Sequence, residues 1–361
     1  MTALRFTVLI DTYNHERFIA KAIESALAQD LPAREFEILV VDDGSTDATR
    51  AVVRSFGGRV RLIAKPNGGQ ASAFNVGLRE ARGEWVALLD GDDWWAPEKL
   101  SRLAEFSDSH PDVGVIGHGI EQVQDATGES VRTVPANERE FSFASVADAE
   151  VFRRMLCFFG TSRLAIRRDV ALLALPIPET IAIQADEFLA TVCVAYSRAA
   201  VLSDPLTFYR LHEGNLFQMP VVEDRKLRRM QRALAAIAAT LPPRLHAAGV
   251  RAESIHVLLD PLLNHVKRLQ LRLDGGMPWE TFRVERNERR FSYASAPAGY
   301  RLYSMMATAA ALMMPPRLYY RLREWYSASA LRRLRGILGE PVRVSGVESV
   351  PSPSTLAKAS H

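Results

Sequence analysis

The first hundred residues alternate between short apolar runs and longer amphipathic stretches. Phe6–Ile10, Phe36–Val41, Val60–Ala64 and Trp85–Leu89 read as strands, and Glu16–Ala28, Thr46–Phe56 and Gln70–Ala81 repeat apolar residues at helical spacing. Strands that alternate with helices argue for βαβ units and a mostly parallel sheet covered on both faces. In such sheets ligands bind beyond the carboxyl ends of the strands. The polar stretches Asp11–Glu16, Asp42–Asp47, Asn67–Gln70 and Asp90–Asp93 all fall there, so four loops converge on one crevice.

Beyond residue 110 the alternation weakens. Val113–Gly119 reads as a strand, Gln124–Glu140 as a polar loop or hairpin, and Val151–Phe159 and Ala185–Tyr196 as helices. After Met219 the chain turns to Ala-, Leu- and Arg-rich helices, Glu223–Thr240 and Ser254–Leu273 being the clearest, followed by a charge-dense linker over Gly275–Ala298. The Ser/Pro-rich end suggests disorder. The expected organisation is an α/β domain over 1–218, divided near residue 110, a helical region over 219–343 and a disordered tail over 344–361.

With 361 residues and a net charge of +3 the chain can bury a large core, and it is not built as a general polyanion binder. Cys157 and Cys193 have no partners at metal-binding spacing and read as inert core thiols in a reducing compartment. No signal peptide is evident, and no apolar run approaches the roughly 20 residues of a spanning helix. Cytoplasmic residence is the expectation.

The chemistry concentrates where Trp85–Leu89 runs into Asp90, Asp92 and Asp93. Gly91 lets Asp90 and Asp92 project toward a common point, and hard oxygen ligands in that arrangement suit Mg²⁺ or Mn²⁺ bridging to phosphates. The plainer alternative is an acidic turn in which Asp93 and Pro97 start the next helix. Asp42 or Asp43 could accept from a nucleobase imide or a ribose hydroxyl, while Ser45 and Asp47 cap a helix. Asn67-Gly68-Gly69-Gln70 could offer backbone N–H groups to anionic oxygen, although it is neither a dinucleotide fingerprint nor a P-loop. Asp186, at a helix start, could be a general base or a cap, and His212 a metal ligand or a surface histidine.

Thr12-Tyr13-Asn14-His15-Glu16, Val41–Asp47, Asn67-Gly68-Gly69, Ala73-Phe74-Asn75, Leu89–Asp93 and Tyr209-Arg210-Leu211-His212 resemble, in order and spacing, the motifs of family 2 glycosyltransferases. The resemblance covers about residues 4–215. It implies a GT-A fold, Rossmann-like with a mostly parallel sheet, in which residues 1–110 bind a nucleotide-sugar donor and 111–218 form the acceptor half. It places Thr12, Asn14 and Glu16 at the nucleoside, Asp42 or Asp43 at the base, and Asn67, Gly69 and Asn75 among the donor-binding motifs. Asp90 and Asp92 would hold ribose and a divalent metal, Mn or Mg, with His212 completing the metal site. Asp186 would be the acceptor-activating base, with Glu187 as a rival because the order is Asp-Glu where the family often has Glu-Asp. Asp11 stands where the family commonly has proline.

The implied reaction is an inverting, metal-dependent transfer of a sugar, a UDP-sugar by default, to a glycan or lipid-linked hydroxyl in surface-glycan assembly. The competing readings are a sugar-phosphate nucleotidyltransferase and a non-catalytic scaffold. The first lacks its glycine- and arginine-rich loop after the first strand, and the second is disfavoured by the complete set of acids. Between Arg301 and Glu340 seven arginines face two acids, interleaved with Trp and Tyr. That composition suits an anionic membrane surface, or a helix packed on the catalytic domain or on a second subunit of a homodimer. No nucleic-acid module is present.

Overall fold

The computed structural model describes residues 4–215, 223–292, 298–328 and 347–351. Its centre is a parallel array in the order β3-β2-β1-β4, formed by β1 (Phe6–Thr12), β2 (Phe36–Asp42), β3 (Arg61–Ala64) and β4 (Trp85–Asp90). The connecting helices are α1 (Ile19–Leu27), α2 (Thr49–Ser55) and α3 (Gln70–Glu80). The apolar runs are uninterrupted because both faces of these strands are covered. Val8, Ile10, Val40 and Leu89 point into one core, and their neighbours Leu9, Leu39, Val41 and Leu88 into the other. Each fully buried Leu or Val side chain contributes about 1.5–3 kcal/mol. Gly77 lets α3 settle on the sheet, since a Cβ there would stand 2.4 Å from Leu9.

After the two-residue strand β5 (Trp94–Trp95) and α4 (Lys99–Ser109), the sheet extends through β6 (Val113–Gln124) and its hairpin partner β7 (Ser130–Pro135), then β8 (Arg139–Phe141). The stretch 124–140 is thus a hairpin. Helix α5 (Val146–Met155) precedes β9 (Ala165–Arg167), which joins β4 to β6 antiparallel to both. Helices α6 (Arg168–Leu173) and α7 (Ala185–Tyr196) lead into β10 (Arg198–Leu211), parallel to β6 and antiparallel to β5 and β8.

Helices α8 (Asp224–Ala247) and α9 (Ala252–Asp274) follow. Helix α8 runs past Thr240, where the sequence suggested its end, through Pro242 and Pro243, because Leu241 and Leu245 are buried beyond the break in pattern. The expected linker over 275–298 contains α10 (Pro278–Ser292). Its charges are matched by α9, Lys267 pairing with Glu280 at 2.8 Å and Arg268 with Glu288 at 3.1 Å, while Thr281 and Val284 are buried. Helices α11 (Ala298–Ala310) and α12 (Pro316–Ala328) complete the helical part.

Within the tail expected to be disordered, β11 (Val347–Pro351) pairs antiparallel with β7; residues 344–346 and 352–361 lie outside the described residues. So does 329–346, which holds part of the basic segment. Cys193 is buried as expected, but Cys157 is exposed. No helix among the described residues is long and apolar enough to cross a membrane.

Candidate active site

The register of the parallel strands sets the site. Asp11 at the end of β1 lies directly beside Asp90 at the end of β4, and Thr12 beside Asp42 at the end of β2. Beyond these strand ends opens a cleft of about 1660 Å³, lined by Asp11, Asp90, Asp92 and Asp93 on one side and by Asp186 and Glu187 on the other. That volume exceeds the roughly 300–1,000 Å³ typical of a small-molecule pocket, leaving room for two substrates.

Asp90, Asp92 and Asp93 each direct an oxygen to one region, all within 4.8 Å of one another. Burial first, and then the neighbouring acids, Asp11 foremost, hold the Asp90 carboxyl well above the usual range. Asp93 is pushed up to about 8 by burial and by the charge of Asp92. One oxygen of Asp93 accepts from Arg210 N–H at 2.9 Å; its other oxygen, and one of Asp11, are buried without a hydrogen-bond partner. Clustered acids with orphaned buried oxygens suit a hard divalent cation, which would relieve their repulsion. Asp93 is therefore part of the cluster and does not cap α4, which begins only at Lys99.

Asp92 behaves differently. Burial raises its carboxyl, but the His212 hydrogen bond and the nearby His15 and His212 outweigh that, so it stays lower than usual. His212 Nδ1 accepts from Gly214 N–H at 3.2 Å, and its Nε2 stands 3.1 Å from Asp92 Oδ2. His212, expected as a nitrogen ligand, thus directs Nε2 at one of the cluster's acids. His15 Nε2 lies 3.9 Å from the same oxygen.

A short turn binds the two sides of the cleft together. Thr161 donates to Asp186 Oδ2 from its N–H at 2.8 Å and from its hydroxyl at 3.0 Å, while Ser162 Oγ accepts from Asp90 N–H at 3.0 Å. The turn is fixed from beneath, because Ser162 C=O accepts from the fully buried Lys99 at 2.8 Å, from Trp95 Nε1 at 3.2 Å and from the Thr207 hydroxyl. Asp186 is thus oriented by Thr161, its other oxygen accepting from Glu187 N–H at 2.9 Å. Burial and the Asp186 charge raise the Glu187 carboxyl to about 7. Gln184, which precedes α7, adopts a left-handed conformation with φ 60°.

The remaining expected donor contacts separate into two groups. Thr12, Asp43, Asn67 and Gly69 line the cleft. Asp43 is held by Lys65 Nζ at 2.5 Å and by the N–H groups of Gly68 and Gly69 at 3.0 and 2.7 Å. Those two amides are therefore occupied by the Asp43 carboxylate rather than open to a ligand's oxygen. Gly69 needs its positive φ of 84°, and a Cβ there would meet Ala182 O at 2.8 Å.

Asn14, Glu16, Asp42 and Asn75 do not line the cleft. Asn14 Oδ1 accepts from Thr46 N–H at 2.8 Å and its own N–H donates to Ser45 Oγ, so Ser45 is a loop tie and not a helix cap. Glu16 accepts from Ala48 N–H and Asp47 from Thr49 N–H at the start of α2. Asp42 is buried, bound to Ser45 N–H and paired with Arg50. Asn75 is fully used by Ile177, donating to its C=O and accepting from its N–H, both at 2.8 Å.

Sequence reasoning gave no role to Asp11, His15, Thr161, Ser162 or Lys99. His15 lay inside a recognised motif and could have been read; Thr161, Ser162 and Lys99 belong to no pattern, and only the fold brings them under Asp90 and Asp186.

The family model for glycosyl transferase family 2 matches residues 7–171. An uncharacterized glycosyltransferase of Nostoc sp. is 34% identical over 219 residues, 59% of this chain and 66% of that protein. The poly(ribitol-phosphate) beta-N-acetylglucosaminyltransferase TarS of Staphylococcus aureus is 38% identical over 130 residues, 33% of this chain and 23% of its own length. This chain therefore spans just under two thirds of the first relative and about a quarter of the second. The structure of TarS residues 1–349 with UDP-GlcNAc is similar at a TM-score of 0.52 and 20% identity, covering 90% of this chain and 93% of that one. A mannosyltransferase of Pyrobaculum calidifontis in complex with GDP-Man and Mn²⁺ is similar at 0.50 and 20%, covering 92% and 88%. At these identities the structural likeness establishes the fold, GT-A, and no more.

Proposed function

We propose, on the premise of the match of residues 7–171 to glycosyl transferase family 2, that the protein transfers a sugar from a nucleotide-sugar donor to an acceptor hydroxyl with inversion, in glycan assembly. The reading rests chiefly on one observation: consecutive residues of a single turn, Thr161 and Ser162, hold a candidate base, Asp186, and a candidate metal-binding acid, Asp90, across one cleft. The donor is a UDP-sugar by preference; TarS is known with UDP-GlcNAc and the Pyrobaculum enzyme with GDP-Man.

Asp90, Asp92 and Asp93 would hold Mn²⁺ or Mg²⁺, which when bound neutralises charge on the leaving nucleoside diphosphate. His212 and His15 steer Asp92, and Thr12, Asp43 and the Asn67–Gly69 loop flank the donor. Asp186, or Glu187 beside it, takes the proton from the acceptor hydroxyl, whose oxygen bonds to the anomeric carbon as the bond to the diphosphate breaks. A single displacement from the opposite face inverts the anomeric centre. The exposed Met305, Met306 and Met313, with Arg301 on α11 and Arg317 on α12, fit peripheral attachment to a membrane or contact with a second subunit.

The test is a thermal-shift screen against UDP, GDP, CDP and dTDP with and without Mn²⁺, followed by product analysis with the matching nucleotide sugars. A metal-dependent shift and release of nucleoside diphosphate support the reading. Pyrophosphate release from a nucleoside triphosphate would replace it with nucleotidyl transfer, and no shift in folded protein would favour a scaffold.

A further inference from the structure

The far wall of the cleft carries charge that the transfer chemistry leaves unused. The first three turns of α8 contribute Arg225, Lys226, Arg229 and Arg232 to the cleft lining. Arg225, Arg229 and Arg232 stand at i, i+4 and i+7 and so share one face, while Leu227 and Leu234 are buried on the opposite face. Like charges at that spacing repel one another, so the stripe weakens the helix that carries it.

Among the described residues the stripe makes no ion pair. Asp224 pairs with Arg272 and Arg228 with Asp274, but among the described residues none of these four cations has an ion pair. Its location is specific. Helix α8 packs on α7, and Leu227 and Leu234 share a core with Phe188 and Leu189, immediately after Asp186 and Glu187. The stripe therefore flanks the proton-accepting side of the cleft, across from the acids at the strand ends. A neutral sugar acceptor brings no counter-charge to these four cations, whereas a phosphate-bearing chain does.

We propose that the acceptor carries phosphate, and that Arg225, Arg229 and Arg232, with Lys226, hold it so that its hydroxyl meets Asp186 and Glu187. The proposal rests on the glycosyl-transfer reading above. The cations line the cleft, which a soluble phosphodiester chain can enter and a bilayer cannot.

The experiment uses the full chain and its R225Q/R229Q/R232Q variant. Binding is measured to poly(glycerol phosphate), to dextran as a neutral polymer, and to vesicles of phosphatidylcholine with and without phosphatidylglycerol. The melting shift with UDP and Mn²⁺ is recorded for both proteins. The expected result is salt-sensitive binding of the phosphate polymer over dextran, weakened at least about tenfold in the variant, since each lost cation removes a few-fold. The nucleotide shift should remain in the variant, which also certifies its folding. Should the triple variant not fold, R229Q and R232Q singly give the same readout at a few-fold each. Equal binding by variant and wild type, no preference over dextran, or binding to anionic vesicles alone would each overturn the proposal. Loss of the nucleotide shift in the wild type itself would instead sink the glycosyl-transfer reading, and the acceptor role with it.

Discussion

Thr161 places two donors, its N–H at 2.8 Å and its hydroxyl at 3.0 Å, on the same carboxylate oxygen of Asp186. The pair fixes the direction of a carboxylate at the start of α7 from a turn that also supports Asp90. Replacing Thr161 by Val keeps the backbone donor and the side-chain volume but removes the hydroxyl. Turnover should fall about tenfold, as expected for loss of one hydrogen bond to a charged group. Nucleotide affinity should not change, and steady-state kinetics with a separate nucleotide titration tests both. A variant with wild-type kcat would show that Thr161 has no part in orienting the base.

The raised Glu187 carboxyl makes pH a discriminating variable. A proton acceptor works only when ionised, so with Glu187 as the base kcat/KM should climb about tenfold per pH unit below about 7 and level off above it. The Glu187→Gln protein should lose both the activity and that limb. If the limb near 7 survives in Glu187→Gln, another group carries it and Glu187 is not the base.

Asp92 is the acid of the cluster held ionised by two histidines. Asp92→Asn should keep the fold, lose the Mn²⁺-dependent part of the nucleotide melting shift, and lower turnover by about 10³-fold, several kcal/mol. Chelation of the wild type should reproduce the loss, with recovery on adding Mn²⁺ or Mg²⁺. Wild-type turnover by folded Asp92→Asn would refute the metal assignment.

Asn75 offers a control for placement. Its side chain ties α3 to Ile177 and does not reach the cleft, so Asn75→Ala should cost about 2 kcal/mol of stability by leaving both Ile177 backbone groups unpaired. Urea denaturation reads that cost. Nucleotide affinity, measured below the unfolding transition, should be unchanged; a large loss would return Asn75 to the donor site.

The apolar runs ending in Asp11, Asp42 and Asp90 were legible because strands covered on both faces admit almost no polar residue, so the first acid marks where the strand leaves the core. The family was legible for a related reason: its motifs sit at those strand ends, and their order survives where each is weak alone. The charge-dense stretch around α10 was misread because single-sequence charge cannot reveal that Lys267 and Arg268, on a different helix, answer it. Roles within the motifs were also beyond spacing. Asn14, Glu16 and Asn75 belong to the pattern yet tie loops together, while Asp93 looked like a cap and is buried among the acids. Sequence by itself determined which carboxylates end the strands. Only the tertiary structure decided which of them share a cleft, because that depends on the register that sets Asp11 beside Asp90 and on a turn, Thr161–Ser162, lying more than seventy residues from the acid it supports.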